Sequence, residues 1–198
     1  MQNIEPKLKG IDKYFITPEY NNKNKKTYLN IIENILILGV KIIQFRSKNL
    51  DETSYNKLAI SISEKCKQYN SLFVINDFKN YRKNNFCDGI QFTSKNIINK
   101  DFCKIDKEVL FFGSCHNKRE ISLCNNGDFD LILISPVKDT GGKKGIGWNN
   151  FHALCLTSKL PVFGLGGLNF DEDINLIKEY GGCGIAGTKY FYGLGQNR

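Results

Sequence analysis

Apolar positions recur along this chain in two rhythms. Short runs rich in β-branched and aromatic residues stand at 13–17, 41–45, 72–75, 88–92, 110–114, 129–134, 160–167 and 182–187. Runs of this length and composition, bounded by glycine, asparagine or proline, read as strands. Between them the spacing relaxes toward a helical period. Helices are expected over 27–38, stopping at Gly39, from a polar start at Asp51 through Gln68, near 77–83, around 99–106, and over 118–124, 148–157 and 171–180. Glycine just past the last periodic residue is a common helix stop.

Strands alternating with helices imply parallel β-α units, and eight such units close into a (β/α)8 TIM barrel. An open doubly wound sheet is the alternative, but no GxGxxG follows the first strand. With 198 residues the chain is short beside the ~250 typical of the barrel, so its helices must be short and insertions few. No linker or low-complexity tract divides it. A single domain over 1–198 is expected, with its core over about 13–192.

Composition narrows the picture. The 41% hydrophobic content suits a globular core, and no run approaches the ~20 apolar residues of a membrane span. The first residues, MQNIEPKLKG, are charged and lack an apolar signal core, so a cytoplasmic protein is expected. Seven scattered cysteines, none in a CxxC pair, read as thiols in a reducing compartment, and with two histidines a structural zinc site is not expected. The net charge of +8 is spread over lysine-rich faces without an arginine stripe, so no nucleic-acid partner is expected. A local phosphate site stays open.

In this barrel the chemistry sits at the C-terminal ends of the strands. After the second strand, Gln44, Arg46 and Lys48 alternate onto one side, a pattern that suits a pyrophosphate or simply a basic loop. After the third, Asn76 and Asp77 offer an amide and a carboxylate; the carboxylate suits Mg²⁺ or a helix cap. Ser114, Cys115 and His116 follow the fifth strand. Neighbours on a strand point apart, so a hydroxyl contact from Ser114 is preferred to a nucleophile–base pair. After the sixth strand runs SPVKDTGGKKGIGW, from Ser135 to Trp148, with Trp148 read as the start of a helix. GLGG at Gly164–Gly167 and GIAG at Gly184–Gly187 follow the last two strands, where this fold commonly binds phosphate.

In this order the motifs QFRSK, ND, SCH, SPV with T and KK, GLGG and a final glycine-rich strand resemble the thiamine-phosphate synthase and thiazole tautomerase-like family, over about 14–191. The likeness leans toward the branch often fused to a Nudix domain. The resemblance implies a transferase. Hydroxymethylpyrimidine pyrophosphate would lose pyrophosphate with the help of Mg²⁺, and the nitrogen of hydroxyethylthiazole phosphate would attack the pyrimidine methylene. By the same resemblance Gln44, Arg46 and Lys48 bind the pyrimidine pyrophosphate, Asn76 contacts the pyrimidine, and Asp77 and Asn96 stand at the metal positions. Ser114 offers a hydroxyl. Thr140 and Lys143 contact both phosphorylated groups, and Gly166, Gly167, Gly187 and Thr188 cradle the thiazole phosphate. Arg46, Lys48 and Lys143 would act on the leaving group. A homodimer and a functional link to a separate Nudix hydrolase are further expectations.

Four positions depart from the family pattern. Ser47 stands where synthases carry an acidic residue, Asn96 where they carry a metal-binding Asp, and Gly142 where many carry a second Thr. Pro136 stands where the tautomerase relatives have a His. A non-catalytic module binding thiamine or thiazole phosphate, and a tautomerase-like isomerase, are therefore the alternative readings.

Overall fold

A computed structural model describes residues 5–21, 24–76, 86–100 and 108–197. Eight parallel strands pair in sequence order and close, β8 against β1. They are β1 (Lys13–Ile16), β2 (Ile42–Phe45), β3 (Leu72–Asn76), β4 (Gly89–Phe92), β5 (Leu110–Cys115), β6 (Leu131–Ile134), β7 (Val162–Leu165) and β8 (Gly184–Gly187). Seven α-helices surround them among the described residues: α1 (Lys25–Ile37), α2 (Glu52–Gln68), α3 (Ser94–Asn99), α4 (Lys118–Asn125), α5 (Trp148–Cys155), α6 (Phe170–Glu179) and α7 (Lys189–Gln196).

Strand alternation splits the apolar residues into two cores. Tyr14, Ile16, Ile42, Val74, Phe112 and Phe163 fill the barrel interior. Their neighbours Phe15, Ile43, Phe45, Phe73 and Phe111 point outward and pack under the helices. Every residue of β2, β4 and β6 is buried, as parallel strands covered on both faces should be.

Local chemistry sets the helix starts. Asn24, Asp51, Thr93, Asn117 and Asn169 each accept a hydrogen bond from a backbone N–H in the helix that follows. The helices α5 and α7, preceded by Gly147 and Thr188, have no side-chain cap. Gly39 takes a left-handed φ of 82° just past α1, as expected of a stop.

The helix expected around 99–106 is corrected. It forms earlier, as α3, and ends where Lys100 turns left-handed at φ 55°. A capping box decides this start: the Thr93 side chain accepts from Asn96 N, and the Asn96 side chain accepts from Thr93 N. Residues 101–106, like the helix expected near 77–83, lie outside the described residues. The sequence rhythm gave no sign of α7. It packs on α1 so closely that a Cβ at Gly195 would stand 2.8 Å from Ile31 O, and Asn34 Nδ2 donates to Gly195 O at 2.9 Å.

Candidate active site at the mouth of the barrel

Two adjoining cavities open at the C-terminal ends of the strands. One, of 510 Å³, is lined by Gln44, Arg46 and Lys48 from the end of β2, with Asn76, Lys95 and Ser114 among the rest. The other, of 610 Å³, lies against Thr140, Gly166, Gly167, Gly187, Thr188 and Tyr190. His116, Ser135, Lys143, Leu165 and Thr188 border both. Of the predicted site residues, the structure therefore gathers Gln44, Arg46, Lys48, Asn76, Ser114 and Lys143 around the first cavity. Thr140, Gly166, Gly167 and Gly187 join Lys143 and Thr188 around the second. Asp77 lies outside the described residues.

The floor of the first cavity is a run of hydrogen-bonded side chains crossing five strands. Gln44 Nε2 donates to Asn76 Oδ1 at 2.8 Å, and Gln91 Nε2 donates to Ser114 Oγ at 3.0 Å. Between them the Tyr14 hydroxyl lies 3.0 Å from both Gln44 Oε1 and Gln91 Oε1. One hydroxyl proton serves one acceptor at a time, so the two amide oxygens share it. Burial pushes the Tyr14 pKa well above the usual phenol range, so the group stays a donor. These bonds fix each amide by its partners and orient Asn76 and Ser114 at the rim. Gln91 and Tyr14 were not singled out from the sequence. Each sits in a strand that reads as an apolar run, and only barrel closure brings them together.

Above this floor the β2 end is braced by the loop after β1. Arg46 N donates to Thr17 Oγ1 at 3.0 Å. Glu19 accepts from Ser47 Oγ at 3.1 Å and from Lys48 N at 2.9 Å, while Arg46 Nη1 stands 3.8 Å from its carboxylate. Ser47, a departure from the family pattern, thus donates to a carboxylate supplied by another loop.

The loop after β6 forms the shared wall. Thr140 and Lys143 exchange backbone hydrogen bonds of 3.0 and 2.8 Å across Gly141 and Gly142, whose φ values are 54° and 79°. Two positive φ values at the centre of a two-residue turn define a type I′ hairpin, which strongly favours glycine. The turn sets Thr140 and Lys143 side by side at the cavity edge. This loop rests directly on the β7 end. A Cβ at Gly166 would stand 2.7 Å from Pro136 Cβ, and one at Gly167 would stand 2.6 Å from Asp139 O. Those glycines therefore permit close packing of two loops as well as open backbone toward the cavity. Lys138 Nζ, 2.6 Å from Asp173 Oδ1, ties the same loop to α6; Asp173 Oδ2 also accepts from Asn169 N at 2.9 Å. Trp148 begins α5 and packs edge-on against Phe151, as the sequence reading held.

The second cavity opens onto a helix start. The uncapped start of α7 follows Gly187 and Thr188, and the first N–H groups of a helix lack intrahelical partners. A Cβ at Gly187 would meet only Phe191 on the protein side, at 3.6 Å. His116, on the border of both cavities, has Nδ1 2.6 Å from Ser135 O. A carbonyl only accepts, so Nδ1 carries a proton and donates to it.

A thiamine monophosphate synthase model, TMP-TENI, matches residues 13–190. The chain belongs to this family. It is 35% identical over 178 residues to the thiamine-phosphate synthase of Prochlorococcus marinus strain AS9601, covering 88% of this chain and 49% of that protein. Against the thiamine-phosphate synthase of Thermoplasma acidophilum it is 27% identical over 185 residues, covering 92% of this chain and 83% of that protein. The chain thus spans about half the length of the Prochlorococcus relatives, at 49% and 46%, and most of the archaeal one. A solved thiamine phosphate pyrophosphorylase from Pyrococcus furiosus superposes with a TM-score of 0.75 at 19% identity, over 94% of this chain and 92% of that one, and shares the fold. Within the family frame, one metal position does not fit a divalent cation. The Asn96 side-chain oxygen accepts from the backbone N–H and the hydroxyl of Thr93, and Lys95 stands beside it. Among the described residues no three His, Cys, Asp or Glu side chains converge as a metal site.

Proposed function

We propose that this chain is a transferase that joins hydroxymethylpyrimidine pyrophosphate to hydroxyethylthiazole phosphate, giving thiamine phosphate and pyrophosphate. The observation that carries the reading is the pair of adjoining cavities with Lys143 on their common wall. A two-substrate condensation needs two anionic groups held apart, with their reactive carbon and nitrogen close together. Gln44, Asn76 and Ser114 offer amides and a hydroxyl to the aminopyrimidine. Arg46, Lys48 and Lys143 surround its pyrophosphate. The glycine loops at Gly166, Gly167 and Gly187, with Thr188 at the start of α7 and Thr140 opposite, take the thiazole phosphate.

In the reaction the bond between the pyrimidine methylene carbon and the pyrophosphate oxygen breaks, and its electron pair leaves with pyrophosphate. The thiazole nitrogen then supplies the pair for the new carbon–nitrogen bond. Negative charge grows on the leaving oxygen, so fixed cations lower the barrier most where that charge develops. Mg²⁺ is the ion the resemblance implies; it would add Lewis-acid charge at the leaving group. Asp77 is the remaining carboxylate that would hold it.

The test is formation of thiamine phosphate by purified folded protein given both precursors, together with growth of a thiamine auxotroph carrying the chain. Absence of both sinks the reading. The Asn96 capping role and the Gly141–Gly142 turn favour one second reading, a module that binds thiamine phosphate without making it. Calorimetric binding of thiamine phosphate without turnover selects that reading. A homodimer, a link to a separate Nudix hydrolase and a cytoplasmic location are extensions carried by the sequence reading alone.

A further inference from the structure

We propose that Lys95 is a fourth cation for the pyrophosphate group, supplying at the end of β4 positive charge in place of a carboxylate-held divalent ion. This chain then binds pyrophosphate without a divalent cation. The inference rests on the transferase reading above and deepens it.

Three observations carry it. First, the 510 Å³ cavity is lined by Arg46, Lys48, Lys95 and Lys143, and its described lining includes no Asp or Glu. Glu19 partly offsets Arg46 at 3.8 Å, but the three lysine charges around the cavity repel one another, and an anion of high charge relieves that repulsion. Pyrophosphate is such an anion. Second, the cations come from the ends of three alternate strands, β2, β4 and β6, in a barrel whose strands follow in order around the rim. They therefore surround a bound group from different sides. The Lys95 ammonium has no salt-bridge partner among the described residues, and neither do those of Lys48 and Lys143. Third, the Asn96 oxygen is committed to the capping box with Thr93, and it carries no charge to offset the lysine beside it. A divalent ion at this strand end would meet a repelling ammonium and an occupied neutral oxygen. A phosphate oxygen meets an open donor.

Calorimetric titration with inorganic pyrophosphate, with EDTA and separately with Mg²⁺, tests this at fixed ionic strength. The wild-type chain is expected to bind in EDTA. Lys95→Ala is expected to weaken that binding about tenfold or more, the loss of one charge-assisted contact. Lys95→Arg should hold most of the affinity. Lys57→Ala removes the same charge from exposed α2 and should change nothing, which separates a contact in the cavity from the diffuse charge of +8. Wild-type binding only in the presence of Mg²⁺, or equal affinity for wild type and Lys95→Ala, overturns the inference. Turnover of the two precursors, measured in parallel, keeps the two readings apart. Turnover without a Lys95 effect removes this inference alone. Lys95-dependent binding without turnover supports it and removes the transferase reading.

Discussion

Arg46 reaches the cavity from a backbone position fixed twice, by its own N–H on Thr17 and by the bonds of Ser47 and Lys48 to Glu19. In the proposed reaction a cation held this way needs little reorganisation as charge grows on the leaving group. Arg46→Ala should lower kcat/KM by about 10²–10³-fold, the usual loss for one fixed donor at developing charge; steady-state kinetics with both precursors measures it. Tyr14→Phe tests the polar floor. It strips two buried amide oxygens of their shared donor and should cost about 1–2 kcal/mol, read by urea unfolding. The rim residues were legible because alternation in a strand puts Gln44, Arg46 and Lys48 on one side. Tyr14 and Gln91 were not legible, since β1 and β4 read as plain apolar strands and their side-chain partners lie 23 or more residues away in the chain. Glu19 was passed over because nothing in a loop glutamate announces which backbone N–H it will accept.

Among elements, the loop after β6 shows how a lost side chain reflects a local fold. Gly142 stands where the family pattern implied by the resemblance has threonine, and its left-handed φ of 79° is one that favours glycine. Gly142→Thr should strain the hairpin by about 1–2 kcal/mol, the cost of a left-handed non-glycine residue. Turnover should fall rather than rise, because Thr140 and Lys143 lose their common edge. Higher turnover would show that the hydroxyl matters more than the turn. The outer helices carry a different dependence. Glu33 on α1 accepts from Lys65 Nζ on α2 at 2.6 Å and from the Tyr69 hydroxyl at 3.2 Å. The Lys65 bond holds the Glu33 carboxyl below the usual glutamate range. A depressed carboxyl stabilises the fold fully above its unfolded pKa, near ~4.3, and the gain is lost as pH falls through the folded value. Glu33→Gln should therefore flatten the acid limb of a stability–pH curve measured by urea unfolding and leave enzymatic turnover at neutral pH unchanged. Helix legibility followed the strength of the local signal. Asp51 opens α2 and Gly39 follows α1, as expected. The α3 start hung on a short Thr93–Asn96 cap outweighed by the polar residues around it. Gly193 and Gly195 hid α7, whose order comes from packing on α1.

For the whole molecule, closure of eight strands does what no motif does alone. It turns strand ends scattered from Gln44 to Thr188 into two cavities with one wall, amide-rich and basic on one side and glycine-lined on the other. The alternation of strands and helices made that closure legible, and the order of the motifs made the family legible. The resemblance already implied that Lys143 contacts both phosphorylated groups, but its place on a wall common to two cavities was not legible, because that depends on how the loop after β6 folds over the mouth. The central claim is that both substrates meet at this lysine, and the Lys143→Ala chain tests it most directly. Calorimetry with pyrophosphate and with hydroxyethylthiazole phosphate, alongside turnover of both precursors, should show both affinities reduced and kcat lowered by about 10²-fold or more. Unchanged turnover with both affinities intact would contradict the account.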